Sequence, residues 1–136
     1  MAAFTMLDCV FTLNAVNLST FTTSLSIEVE VDDQETTAFG GNGWRSKIGG
    51  LKEYTISVDF FQDFGASAVD ATVWPLLGTT VAWTAKATSN ATSSTNPQYS
   101  GSVLVAEYAP LDGDVGDVST TSVSWPGTGA LARATS

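Results

Sequence analysis

Alternation of apolar and polar residues constrains this chain more than any other feature. From residue 21 to 31 the odd positions are Phe21, Thr23, Leu25, Ile27, Val29 and Val31, and the even ones are Thr22, Ser24, Ser26, Glu28 and Glu30. A period of two is that of a strand, and it gives this strand one apolar face and one polar, acidic face. Tyr54, Ile56, Val58 and Phe60 alternate with Thr55, Ser57 and Asp59, and Val81, Trp83 and Ala85 with Ala82, Thr84 and Lys86. Further strands are predicted over residues 9–16, 102–108 and 118–125, the last ended by Pro126-Gly127. One segment has helical spacing: residues 66–77, Ala-rich, with Val69, Val73, Leu76 and Leu77, and with Pro75 ending or kinking it near Trp74. Residues 32–52 and 88–98 read as loops, the first long enough to imply a contact-making role. The expected fold is mainly β, a sandwich or barrel-like sheet with one short flanking α-helix.

Composition narrows the function. The length, 136 residues, is that of a single domain, able to bury a core without disulfides or metal. Five Lys and Arg against 14 Asp and Glu give a net charge of −9, the wrong sign for neutralising nucleic-acid phosphates or binding an anionic membrane. With no histidine, the Ser-His-Asp and Cys-His mechanisms and most zinc and copper sites are excluded. The single Cys9 permits no internal disulfide and is most simply a small buried hydrophobe. Charged residues are only 14% of the chain against about a quarter usually, and Thr, Ser, Ala and Gly take their place. Such a chain is suited to keeping much of its surface against other protein. Residues 1–5 lack a basic region and a sustained apolar stretch, so no secretory signal is expected. The sequons at Asn17 and Asn90 then carry little meaning.

The local motifs are weak when taken singly. Asp112-Gly113-Asp114-Val115-Gly116-Asp117 resembles part of a calcium loop but has Gly116 and Val123 where ligands belong, so a turn is the simpler reading. Phe39-Gly40-Gly41-Asn42-Gly43-Trp44-Arg45 matches no phosphate-binding pattern. A turn presenting Trp44 and Arg45 to a partner fits better, since Trp and Arg are enriched at binding hot spots. Asp32, Asp33 and Glu35 are neighbours on one segment, poorly placed to face each other across a cleft as glycosidase acids do. Of the tryptophans at 44, 74, 83 and 125, Trp83 and Trp125 lie in alternating strands and belong to the core. An outer-membrane barrel needs at least eight strands, and about six are legible.

Taken in order, several segments carry a family resemblance. Leu18-Ser19-Thr20-Phe21-Thr22-Thr23-Ser24-Leu25 runs into Glu28-Val29-Glu30-Val31-Asp32, followed by Thr36-Thr37-Ala38-Phe39-Gly40, Gly43-Trp44-Arg45 and Gly49-Gly50-Leu51-Lys52-Glu53-Tyr54. Phe60-Phe61-Gln62-Asp63, Asn96-Pro97-Gln98-Tyr99-Ser100-Gly101, Gly113-Asp114-Val115-Gly116-Asp117 and Trp125-Pro126-Gly127-Thr128-Gly129 complete the series. This order resembles the tail tube (major tail) proteins of long-tailed, non-contractile bacteriophages. The resemblance implies a β-sandwich-like barrel with one helix. It further implies hexameric rings, closing into a larger barrel and stacked into a hollow tube that conducts DNA. No catalysis and no cofactor are implied; the location is the virion, after synthesis in the host cytoplasm. The partners implied are other copies of the chain, the tape measure and tail terminator proteins, and DNA as non-sticking cargo.

On that reading residues 1–136 form one domain, with 32–52 an inter-subunit loop and 127–136 a C-terminal arm. Ser24, Ser26, Glu28, Glu30, Thr55, Ser57 and Asp59 are expected to line the lumen. Asp32, Asp33, Glu35, Trp44, Arg45, Lys47 and Lys52 are expected at contacts between subunits or rings, with Trp44 as anchor and Arg45 paired to carboxylates across the interface. Two other classes remain open: a monomeric β-sandwich module binding carbohydrate or a cell surface, and a virion connector or decoration protein that does not stack. A carboxylate-dependent hydrolase is the remaining alternative.

Overall fold

The computed structural model describes residues 3–136; Met1 and Ala2, part of the N-terminal stretch read above, lie outside the described residues. The elements in order are β1 (Val10–Leu13), β2 (Val16–Asn17), β3 (Thr22–Glu35), β4 (Lys47–Phe61), α1 (Val69–Val73), β5 (Thr80–Lys86), β6 (Gln98–Leu104) and β7 (Thr120–Ala134), with 3-10 turns at Phe39–Gly41 and Trp74–Leu76. All seven strands join one antiparallel sheet in the order β2-β1-β5-β6-β7-β4-β3. The fold is mainly β with one short helix, as expected, and the sheet has two open edges.

The sheet can fold over on itself because β7 serves both halves. Residues 120–126 of β7 pair with β4, and residues 127–134 pair with β6. Pro126-Gly127, expected to end the strand, instead marks where it changes partner. Proline lacks the N–H a ladder needs and is tolerated where pairing is interrupted. Gly127 is required for a further reason: a Cβ there would overlap the Tyr54 ring. Tyr54 fills this notch, donates its hydroxyl to Ser102 O at 2.6 Å and packs on Trp83 with ring centroids 6.0 Å apart. The segment expected as a C-terminal arm, 127–136, is thus mostly sheet. Residues 127–134 are a sheet strand, because β6 offers them a full edge to pair with.

The core lies between the two halves of the curved sheet and under α1. Phe11, Leu13, Ile56, Val58, Phe60, Val69, Val73, Trp83, Val103, Val105, Val123 and Trp125 are buried there. Other boundaries moved as well. The strand expected at 102–108 lies at 98–104, and residues 105–109 instead cover the free edge of β7, where Glu107 O accepts from Trp125 Nε1 at 2.9 Å and Ala109 O from Thr121 Oγ1 at 2.8 Å. The helix is shorter than 66–77: Pro75 converts its end into a 3-10 turn. Residues 88–96 form an ordered turn around buried Asn96, whose Nδ2 donates to Asn90 O at 2.9 Å.

The largest difference concerns residues 32–52. Asp32–Glu35 and Lys47–Lys52 are strand, continuing β3 and β4, and only residues 36–46 form the connection. Glycine-rich sequence concealed the strands: Gly49 pairs with Asp33 beside a shift of register, and a Cβ would press at 3.3 Å on Val31 at position 49 and on Asp32 and Gln34 at position 50. The segment is thus the far end of one long hairpin rather than a structureless loop.

Candidate functional site

Two surfaces arise from that hairpin. The first is its polar face. Ser24, Ser26, Glu28 and Glu30 on β3 stand opposite Asp59, Ser57, Thr55 and Glu53 on β4. The next strand adds Ser122 beside Asp59 and Ser124 beside Ser57. All seven residues singled out for a polar wall therefore share one face, and their alternates Tyr54, Ile56, Val58 and Phe60 are buried. Sequence reasoning missed Glu53, Ser122 and Ser124. Their signal was present: each extends an alternation already read, Glu53 two positions before Thr55 and the serines around buried Val123. None of these ten positions is basic. Glu30 and Glu53 face each other directly, an arrangement that costs stability through like-charge repulsion.

The second surface is the hairpin arm. Every residue from Glu28 to Glu53 is exposed. The paired strands run roughly 20 Å past the last half-buried pair, at about 3.4 Å per residue. Large apolar side chains sit on this arm uncovered: Phe39 at 105% exposure, Leu51 at 81%, Trp44 at 80%, Ile48 at 60%, with Val29 and Val31 near half. A two-stranded hairpin without a packed face is marginally stable in water, and clustered exposed apolar residues mark an interaction surface. β3 is also the sheet edge along its whole length, a row of unpaired backbone groups open to another chain.

Two pairs of charged residues meet within the arm. Arg45 Nη1 lies 3.2 Å from Glu35 Oε1, and Lys47 Nζ 3.3 Å from Asp33 Oδ2. These are the only two ion pairs among the described residues, and both lie within the hairpin. Arg45 thus already has a partner in its own chain, because residues 35 and 45 flank the same short connection. Thr37 Oγ1 also donates to Glu35 Oε1, at 3.0 Å. Asp32 and Lys52 sit on the same arm in neither pair. Trp44 stands at the tip, donating its backbone N–H to Gly41 O at 3.0 Å.

The competing sites do not assemble. Asp33 and Glu35 are tied to cations on an open arm, with no cleft between carboxylates. Among the described residues no three His, Cys, Asp or Glu side chains gather as a metal site. Trp83 and Trp125 are buried, while the exposed Trp44 and Trp74 lie on the arm tip and beside α1. No helix among the described residues is long and apolar enough to cross a membrane.

The same architecture occurs in solved particles. The chain matches one from the virion of a native gene transfer agent particle with a TM-score of 0.77 and 14% identity, covering 96% of this chain and 98% of that one. It also matches a chain from the tail of an empty gene transfer agent particle with C6 symmetry, at a TM-score of 0.67 and 14% identity, covering 82% and 81%. At this identity the likeness establishes a shared fold over nearly the full length. No family model and no curated protein matches the chain.

Proposed function

We propose that this chain is a structural tail protein, the subunit of hexameric rings that stack into a hollow tube carrying DNA. The observation that carries the reading is the arm: residues 28–35 and 47–53 are paired strands joined by residues 36–46, and all of them are exposed. An arm of that kind finds its missing cover on another subunit, and the edge of β3 finds a pairing partner there. Closing six sheets into a ring removes the exposed edges that make an isolated sheet prone to aggregation. The shared fold with chains of gene transfer agent virions and tails supports the same conclusion.

The polar face then becomes the lumen wall. Glu28, Glu30, Glu53 and Asp59, with no cation among them, present a negative surface to a polyanion. A conduit works when its cargo does not adhere, and like charge ensures that. Repulsion between Glu30 and Glu53 is a stability cost consistent with selection for the charge of the face. The subunit acts by assembly and not by catalysis, and other tail proteins meet the tube at its ends and along its bore.

Electron microscopy of the purified protein over a concentration series, with sedimentation velocity on the same samples, tests this. Stacked rings with a stain-filled channel are expected. Rings that never stack indicate a connector, and a monomer at every concentration favours the carbohydrate-binding module.

A further inference from the structure

We infer that Asn42, at the tip of the arm, is the site of spontaneous deamidation in the free subunit. The reaction needs a side-chain amide, an unhindered amide nitrogen on the next residue and a backbone free to rotate. Of the five asparagines, only Asn42 precedes glycine; the others precede Ala15, Leu18, Ala91 and Pro97, and the proline nitrogen carries no hydrogen.

The structure adds independent support. Asn42 and Gly43 are exposed, with φ of 52° and 85°. Nothing lies within 4 Å of a Cβ built at Gly40, Gly41 or Gly43, so the tip has room to turn. Its hydrogen bonds run from Gly41 N to Ala38 O and from Trp44 N to Gly41 O, and neither uses the Gly43 amide. The other asparagines are held. Asn14 N donates to Ala82 O at 2.8 Å, Asn17 Oδ1 accepts from Ser19 N at 2.9 Å, and Asn90 N donates to Thr88 Oγ1 at 3.3 Å. Asn96 is buried among backbone carbonyls.

The chemistry balances with water alone. Solvent hydroxide removes the Gly43 N–H proton, and that nitrogen attacks Asn42 Cγ. The new N–Cγ bond closes a five-membered succinimide while the Cγ–Nδ2 bond breaks, and Nδ2 leaves as ammonia after taking a proton from water. A second water opens the ring at either carbonyl, giving aspartate or isoaspartate. One water is consumed, one ammonia is released, and nothing is oxidised. The product places a new carboxylate between Phe39 and Trp44, and the isoaspartate form adds a methylene to the backbone. If the arm tip contacts a neighbouring subunit, a point that rests on the proposed function, unassembled chains lose competence with age and assembled ones are protected.

The test is peptide mapping by mass spectrometry of the full-length free subunit held at mildly alkaline pH, following amide-to-acid conversion at all five asparagines. Expected is conversion at Asn42, with both products, while the other four stay intact, and loss of that conversion in Gly43→Ala. Asn42→Gln is a second control that leaves Gly43 untouched, since glutamine needs a larger ring; it too is expected to stay unconverted. The inference is overturned if Asn42 persists as long as Asn14, Asn17 and Asn90, or if Gly43→Ala converts as fast as the parent. The same mapping on assembled tubes separates the two readings. Protection there supports both. Equal conversion in tube and free subunit upholds the deamidation site and counts against burial of the arm tip.

Discussion

The two ends of the β3–β4 hairpin are made of the same pair of strands, each end with one shift of register, at Thr22/Ser24 and at Val31/Asp33, yet they differ sharply in burial. At one end, Ile56, Val58 and Phe60 are buried and Leu25 and Ile27 pack against them. At the other, from Glu28 round to Glu53, nothing is covered. The strands pair at both ends, so pairing does not distinguish them. The packed end owes its stability to apolar burial, at about 25 cal/mol per Å². The arm carries comparable apolar side chains without that return. The isolated subunit therefore covers its apolar side chains at one end only; on the proposed function the other end is covered by a neighbouring subunit.

The largest effect is expected from a substitution in the packed end. Trp125→Ala is expected to destabilise the subunit by about 3–5 kcal/mol, read as a shift in the urea midpoint. Trp125 is fully buried and its indole N–H is hydrogen-bonded to Glu107 O. The double substitution Phe39→Ala/Trp44→Ala is the counterpart at the open end. It should leave monomer stability within about 0.5 kcal/mol yet weaken self-association by about 2 kcal/mol or more, measured by sedimentation. A large loss of monomer stability instead would mean that the arm packs on its own subunit.

On the proposed function, replacing Glu28 and Glu30 by Lys should leave tubes assembled but slow or block DNA ejection, because that face would then attract phosphate. Unchanged ejection would count against that face as the wall. Within the packed end, Tyr108 donates to Asp70 Oδ1 at 2.8 Å and accepts from Gln62 Nε2 at 2.9 Å. Its hydroxyl is pushed up from 10.0 to about 12, first by burial and then by Asp70. The folded state therefore favours the neutral phenol. That contribution is complete below pH 10 and is lost as pH rises towards 12, so Tyr108→Phe should flatten the alkaline limb of a stability–pH profile. The smallest effect belongs to the arm: Asp33→Asn, which removes the exposed pair with Lys47, should cost about 0.2–1 kcal/mol and less in high salt.

The packed end was the legible one. Alternation at 54–60 identified both the strand and its buried face, and the same period put all seven polar residues on one surface. The alternation read from residue 21 runs into the arm as far as Val31, but it fails at Asp32 and Asp33 and again at Gly49 and Gly50. Gly49-Gly50 and the acidic run at Asp32 and Asp33 therefore looked like a loop, although β3 and β4 continue through them. The second half of β7 escaped for a related reason. Pro126, Gly127 and Gly129 are poor strand residues, kept there because the strand changes partner and Tyr54 fills the space above Gly127. The pair of Arg45 with Glu35 was not legible either, because that proximity depends on the register of the hairpin.

Hydrogen exchange of the free subunit and of the assembled form, resolved by peptide, reads the arm and the packed end together. Amides of residues 28–53 are expected to exchange rapidly in the monomer and to become protected on assembly, while those of residues 54–60 and 121–125 are protected in both. An arm that exchanges equally fast before and after assembly would contradict that expectation.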